Sequence, residues 1–202
     1  MLAETEPHKL TPARARRGFR SVHAKTPSPA HAPKSAPAAA TMHPMDLENP
    51  GGLVMRRANA SDWAGLARID SLAAAGDHAR RASIRRWCEQ GLVLVAEGAS
   101  GPWGYSVLEY TFFEQGFVTM LMVAPTARRQ GVGTHLLKAT AAACTTAKLF
   151  TSTNVSNHPM QRLLHRVSWS PVGLLHGLDE GDPELFYLCP SAQLRDVVEA
   201  EG

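Results

Sequence analysis

Cysteine is scarce in this 202-residue chain: Cys88, Cys144 and Cys189 form no C-x-x-C pair and are odd in number. Neither a disulfide framework nor a zinc site is indicated, and a reducing cytosol is the expected compartment. Long apolar runs are lacking as well. No stretch of about 18 apolar residues exists to span a bilayer, and the front of the chain has no apolar region of a secretory signal, so no membrane attachment is expected. Aromatic residues are absent from the first fifty positions apart from Phe19, which leaves little there to stack on bases. Nucleic acid is therefore not an expected partner. A marked charge imbalance is confined to the front: residues 1–50 hold seven Lys/Arg and four Asp/Glu, whereas residues 51–202 hold fourteen of each.

Eight of the fourteen prolines fall within residues 1–50, in runs such as KTPSPAHAPKSAPAAATMHP without apolar periodicity. Residues 1–51 read as a disordered, basic, Pro/Ala-rich tail. An over-extended start is an alternative, because Met42 and Met45 precede the first patterned segment and Met55 lies near its start. A transit peptide is another, although the prolines interrupt the amphipathic helix it would need. The apolar fraction of 44% suffices for a real core. One domain over 52–190 is expected, followed by a tail over 191–202.

From residue 52 the pattern becomes regular. LVMRRA (53–58) reads as a strand, and Ser61 as the N-cap of a helix that puts Trp63, Leu66, Ile69 and Ala73 on one face. A second helix over about 77–90 aligns Ile84, Trp87 and Cys88, with its arginines largely on a solvated face. Strands at 92–97, 105–113 and 117–123 read as an antiparallel meander. In the last of these, Phe117, Thr119, Leu121 and Val123 alternate with Val118, Met120 and Met122, so both faces are mostly apolar and a central, doubly covered strand is expected. A helix burying Val132, Leu136, Leu137 and Ala143 follows. Then come the strand KLFTST, a helix near 157–167, and the strands VGLLHGL and ELFYLC. The fold class is α/β (α+β), one mixed, mostly antiparallel sheet with helices on both faces.

PTARRQGVGTHLL (125–137) joins the central strand to the next helix, with two arginines and two glycines one residue apart. Such glycines let backbone N–H groups approach a ligand, and the arginines suggest an anion. A P-loop needs a Lys that is absent here, and a dinucleotide fingerprint needs a third glycine where Leu136 stands. What remains, Arg128-x-x-Gly131-x-Gly133, resembles the acetyl-CoA-binding motif of the GNAT superfamily of N-acetyltransferases. The resemblance extends over about 53–189. It includes NHPMQRLLHRVSW, where Asn157, Met160 and Leu163 fit, Leu164 stands where Tyr is usual, Ser168 replaces Gly and Trp169 replaces Phe.

The resemblance implies an acetyl-CoA-dependent N-acetyltransferase in which a primary amine of a small-molecule or peptide acceptor attacks the thioester directly. The N–H groups of about Arg129, Gln130, Gly131, Val132, Gly133 and Thr134 would cradle the pyrophosphate, aided by a helix-end partial charge of roughly +0.5. The pantetheine arm would pair with Leu121, Met122 and Val123 where the fourth and fifth strands splay, with the Met122 N–H as oxyanion donor. Asn157 and Asn154 would face the pantetheine amides, a plain turn being the alternative for Asn154.

With no acid on the central strand and no Tyr at 164, Glu109 and Glu114 are the candidate bases, each otherwise an ordinary surface carboxylate. Cys144 and His135 read as packed or solvated side chains. The turn holding Asp179, Glu180, Asp182 and Glu184 either attracts a cationic amine or is a solvated hairpin, and its spacing does not fit a calcium loop. No metal is expected. Two other readings remain open, a non-catalytic acyl-CoA-binding regulator and an interaction protein docking through its basic tail. A homodimer also stands open.

Overall fold

The computed structural model describes residues 52–194. The expected disordered tail over 1–51 and residues 195–202 of the expected C-terminal tail lie outside the described residues. Seven strands form one sheet in the order β1-β2-β3-β4-β5-β7-β6. They are β1 Val54–Arg57, β2 Val93–Gly98, β3 Gly101–Phe112, β4 Gln115–Val123, β5 Leu149–Asn154, β6 Ser170–Leu175 and β7 Glu184–Leu188. Every neighbouring pair is antiparallel except β4 and β5, which run parallel. A parallel pair needs a crossover. Here it is the helix α4, Val132–Ala143.

Helices cover both faces. On the first lie α1 Trp63–Ile69, α2 Ser71–Ala74 and α3 His78–Glu89; their Leu66, Ala73, Ile84 and Trp87 pack with Val93, Val95, Tyr105 and Val107, and with Met120 and Met122 at their edge. On the second lie α4 and α5, His158–Arg166. Leu137 and Leu164 there join Leu108, Val118, Leu149 and Tyr187. Because side chains alternate along a strand away from its bulges, the two clusters assign the immediate neighbours of their residues to a face.

The first helical segment departs from the sequence expectation. The N-cap is Asn59, not Ser61, and forms a capping box with Asp62 around a short 3-10 turn. The helix is then cut at Asp70, whose backbone is extended (φ −79°, ψ 120°) and whose carboxylate accepts from the N–H groups of Leu72 and Ala73 at 3.0 Å each. The other oxygen of Asp70 accepts from the Tyr105 hydroxyl at 2.8 Å, and both residues are fully buried. A carboxylate caps one helix and satisfies a core phenol together.

Three further details differ. In α4 the buried stripe runs through Thr140 and Ala141, with Ala143 only partly covered. Thr140 is accommodated because its hydroxyl bonds Ser106 (2.6 Å) and the Leu136 carbonyl (2.7 Å). β3 starts at Gly101, earlier than expected. The domain also extends beyond residue 190, since Gln193 accepts from the Trp169 indole at 3.3 Å and donates to the Val167 carbonyl at 2.7 Å.

Candidate functional site

β4 is the middle strand of seven, yet its outer half is not sealed. Its ladder with β5 comprises Gly116↔Leu149, Phe117↔Phe150 and Val118↔Thr151, and stops there. The Thr151 hydroxyl pins the last rung by donating to the Val118 carbonyl at 2.9 Å. Beyond this fork β5 continues with β7 while β4 continues with β3, leaving a gap beside Met120–Val123. Thr119 is exposed and Met120–Val123 are half-buried, which corrects the expectation of a doubly covered strand.

Antiparallel pairing determines which β4 groups face the gap. The Ala124 N–H donates to the Trp103 carbonyl at 2.8 Å, so these residues form a hydrogen-bonded pair. Gly104↔Val123, Tyr105↔Met122 and Ser106↔Leu121 follow in register, and bonded and non-bonded pairs alternate. Met122 therefore turns its N–H to Tyr105 on β3. The expected oxyanion role of Met122 is corrected by this alternation, since Leu121 and Val123 are the residues whose backbone faces the gap.

At the end of β4 a short 3-10 turn, Pro125–Ala127, leads into the loop Arg128–Gly131. Gly131 is the N-cap of α4 at φ 81°, a left-handed conformation suited to glycine, and no side chain caps the helix. The first-turn N–H groups of Val132, Gly133 and Thr134 have no carbonyl one turn earlier within the helix, so this end presents donors and a positive dipole. Arg128, Arg129, Gln130 and Gly131 are exposed. Arg128 folds back to donate from Nε to the Val123 carbonyl (3.4 Å), Gln130 braces the Thr126 carbonyl (2.9 Å), and Arg129 is itself left-handed at φ 63°. Gly133 has a different reason: a Cβ there would lie 2.9 Å from Leu163 Cδ2, so this glycine lets α5 pack against the start of α4.

The remaining candidates divide. Asn157 is the N-cap of α5, its oxygen accepting from the Met160 N–H at 3.3 Å. Asn154 donates to Asp179 at 2.7 Å and to the Asp182 carbonyl at 3.3 Å, and Asp182 also accepts from the Ser156 N–H (3.0 Å) and hydroxyl (2.6 Å). Asp179 and Asp182 thus tie the β6–β7 turn to the β5–α5 loop. Leu164 is fully buried among the second-face residues, so a Tyr at this position would overpack the core. Ser168, at φ 63°, occupies a left-handed turn, the physical reason a glycine suits that place.

Of the two carboxylates, Glu109 stands opposite Phe117 beside the fork and accepts from the Thr119 hydroxyl, at the first β4 position past the rungs with β5. Glu114 is exposed in the β3–β4 hairpin turn, away from the gap. Burial pushes the Cys88 thiol up to about 11 and the Cys189 thiol to about 12, so neither supplies a thiolate nucleophile near neutrality. A cleft of about 520 Å³ lies elsewhere, between Trp63, Ala67, Arg68 and Arg81 on the helices, and includes neither the loop nor β4. Among the described residues no cluster of three or more His, Cys, Asp or Glu is placed to hold a metal, and no helix is long and apolar enough to cross a membrane.

The family model for the acetyltransferase (GNAT) family matches residues 60–169. A GNAT-family acetyltransferase from Bacillus cereus ATCC 10987 superposes with a TM-score of 0.64 at 29% identity, covering 68% of this chain and 96% of that one. Two further structures share the fold. Diaminobutyrate acetyltransferase EctA from Paenibacillus lautus, solved with L-2,4-diaminobutyric acid and coenzyme A, has a TM-score of 0.58 at 20% identity, covering 70% and 96% of the respective chains. YncA, a putative acetyltransferase from Salmonella typhimurium solved with acetyl-CoA, has a TM-score of 0.55 at 20% identity, covering 70% and 95%. No curated protein matches the chain.

Proposed function

The chain belongs to the GNAT acetyltransferase family, and from that premise we propose that it moves the acetyl group of acetyl-CoA directly to a primary amine, with the gap between β4 and β5 receiving the donor. The observation that carries this reading is the conjunction of the gap with the uncapped start of α4. The Val132, Gly133 and Thr134 N–H groups hold a pyrophosphate, and Arg129 adds charge. The Leu121 and Val123 backbone then binds the pantetheine amide and polarises the thioester carbonyl in place of a strand partner. Asn157 and Asn154 serve the donor indirectly, by fixing the start of α5 and the turn beside it.

Glu109 takes the proton of the incoming ammonium. The amine lone pair forms the C–N bond, the nitrogen gives up a second proton to solvent to become a neutral amide, the C–S bond breaks, and the sulfur leaves with its electron pair and takes up a proton from solvent. No tyrosine is required at 164, because a thiol is acidic enough for its thiolate to leave unaided. General acid help is worth about 10²- to 10⁴-fold, so turnover is expected to be slow. Three buried, unpaired cysteines support a cytoplasmic setting. The exposed Val172, Leu174 and Leu175 on edge strand β6 support a homodimer through that edge.

Calorimetry with acetyl-CoA, combined with thiol release over a panel of amines, tests the reading. Binding and turnover are expected. Binding without turnover on any acceptor would favour a non-catalytic acyl-CoA-binding protein, and absence of binding would overturn the donor site.

A further inference from the structure

Five of the chain's six phenylalanines gather on the first face of the sheet, in the half that α1–α3 do not cover. Val118, Leu149 and Tyr187 point to the second face, so their neighbours Phe117, Phe150 and Phe186 point to the first. Phe112 lies among them, with ring centroids 4.8 Å from Phe117, 5.4 Å from Phe150 and 5.7 Å from Phe186. Phe113 closes the set edge-on to Phe112 at 5.0 Å, yet is 84% exposed. Both hairpin residues, Phe113 at φ 50° and Glu114 at φ 59°, are left-handed, where Asn-Gly is the favoured pair. A bulky aromatic is thus held in an unfavourable backbone conformation and left open to water.

The position of this face supplies its occupant. Phe117 and Phe150 form the rung before the last one at the fork, and Glu109, opposite Phe117, places a carboxylate where the rings end and the gap begins. A face of rings with the Glu109 carboxylate at its border with the gap complements a molecule with an apolar body and an ammonium end. We propose that the five phenylalanines bind the non-reacting part of the acceptor, which is a primary amine joined by a short linker to an aryl group. This rests on the acetyl-transfer reading above, and it places the acceptor nitrogen at Glu109, on the side of the sheet opposite α4.

The test uses the full chain with acetyl-CoA and three amines: 2-phenylethylamine, ethylamine and spermidine. The expected result is a kcat/KM for 2-phenylethylamine about tenfold or more above the other two. Phe113→Ala, at an exposed position, and Phe186→Leu are each expected to narrow that preference about three- to tenfold, through KM. A second readout needs no turnover: saturation-transfer NMR with 2-phenylethanol, which lacks the amine, is expected to show ring protons saturated by the protein and less so by Phe113→Ala. Thiol release with no preference for the aryl amine and no ring saturation would overturn the aromatic site while leaving acetyl transfer intact. Ring saturation without thiol release from any amine would overturn acetyl transfer and uphold the aromatic site.

Discussion

Strands β2 and β6 carry similar apolar sequence, VLVAEG and SPVGLL, and have opposite surroundings. Val93–Ala96 are buried on both faces, whereas Ser170–Leu175 are exposed throughout. The difference extends to the two halves of the sheet. Around β1–β3 every large apolar face meets a helix, and the buried polar groups Asp70, Tyr105, Ser106 and Thr140 bond one another or nearby backbone. Around β4–β7, past Met120 and Met122, the first face carries half-buried phenylalanines in place of the α1–α3 cluster, one strand edge has no partner and a carboxylate borders the opening. On the proposed function, the sealed half serves stability and the open half chemistry. Substitutions should therefore separate into those that change the melting temperature and those that change rate.

The sharpest break is Glu109→Gln, which removes the proposed proton acceptor but keeps the shape and the contact with Thr119. It is expected to lower kcat about 10²- to 10⁴-fold, measured by thiol release, with little change in melting temperature. If both rate and stability are unchanged, Glu109 is an ordinary surface carboxylate.

Asp70→Ala is the counterpart in the sealed half. It removes a helix cap and strands the Tyr105 hydroxyl in the core, for a combined loss of about 3 kcal/mol. The melting temperature should fall by roughly 6–12 °C, while kcat at a temperature where the variant is folded stays near that of the parent.

Asp62 gives a smaller effect with a defined pH window. Its bonds from Arg56 (2.8 and 2.9 Å) hold its carboxyl below the ordinary value of 3.8. The folded state thus binds this proton less readily than the unfolded state. The stabilisation is complete above about pH 4 and is lost as pH falls through the lowered folded value. Asp62→Asn should cost no more than about 1 kcal/mol at neutral pH, because Arg56 is partly exposed, and the gap should narrow as pH falls through the lowered folded value in denaturant titrations.

The smallest change runs in the stabilising direction. Ser168→Gly relieves a left-handed φ of 63° at an exposed position and should raise stability by about 0.5–1 kcal/mol. An unchanged melting temperature would mean that the turn carries no strain.

Much of the fold was legible in the sequence because it depends on local signals. Strand alternation, the prolines ending strands and the R-x-x-G-x-G loop placed the elements, and the family resemblance supplied the splay. What was not legible depends on partners far away in the chain. Asp70 reads as one more helix residue until Tyr105, 35 positions later, is seen to need its oxygen. The acids at 179 and 182 look like a lure for cations until Asn154 and Ser156 are seen to hold them. Leu164 reads as a lost tyrosine but belongs to the core. The phenylalanines at 112, 113, 117, 150 and 186 carried a signal in their clustering after residue 110. Without strand order, nothing showed that three separate runs meet on one face.

The alternation along β4 also has a consequence in time. Amides bonded to β3 exchange with deuterated solvent only when the sheet opens, whereas those facing the gap need no such opening. Leu121 and Val123 should therefore exchange fast in the free protein, with Met122 between them slow. Bound acetyl-CoA should slow the outer two and leave the middle one as it was. Three adjacent residues would then record, position by position, that a cofactor had completed the sheet as an additional strand.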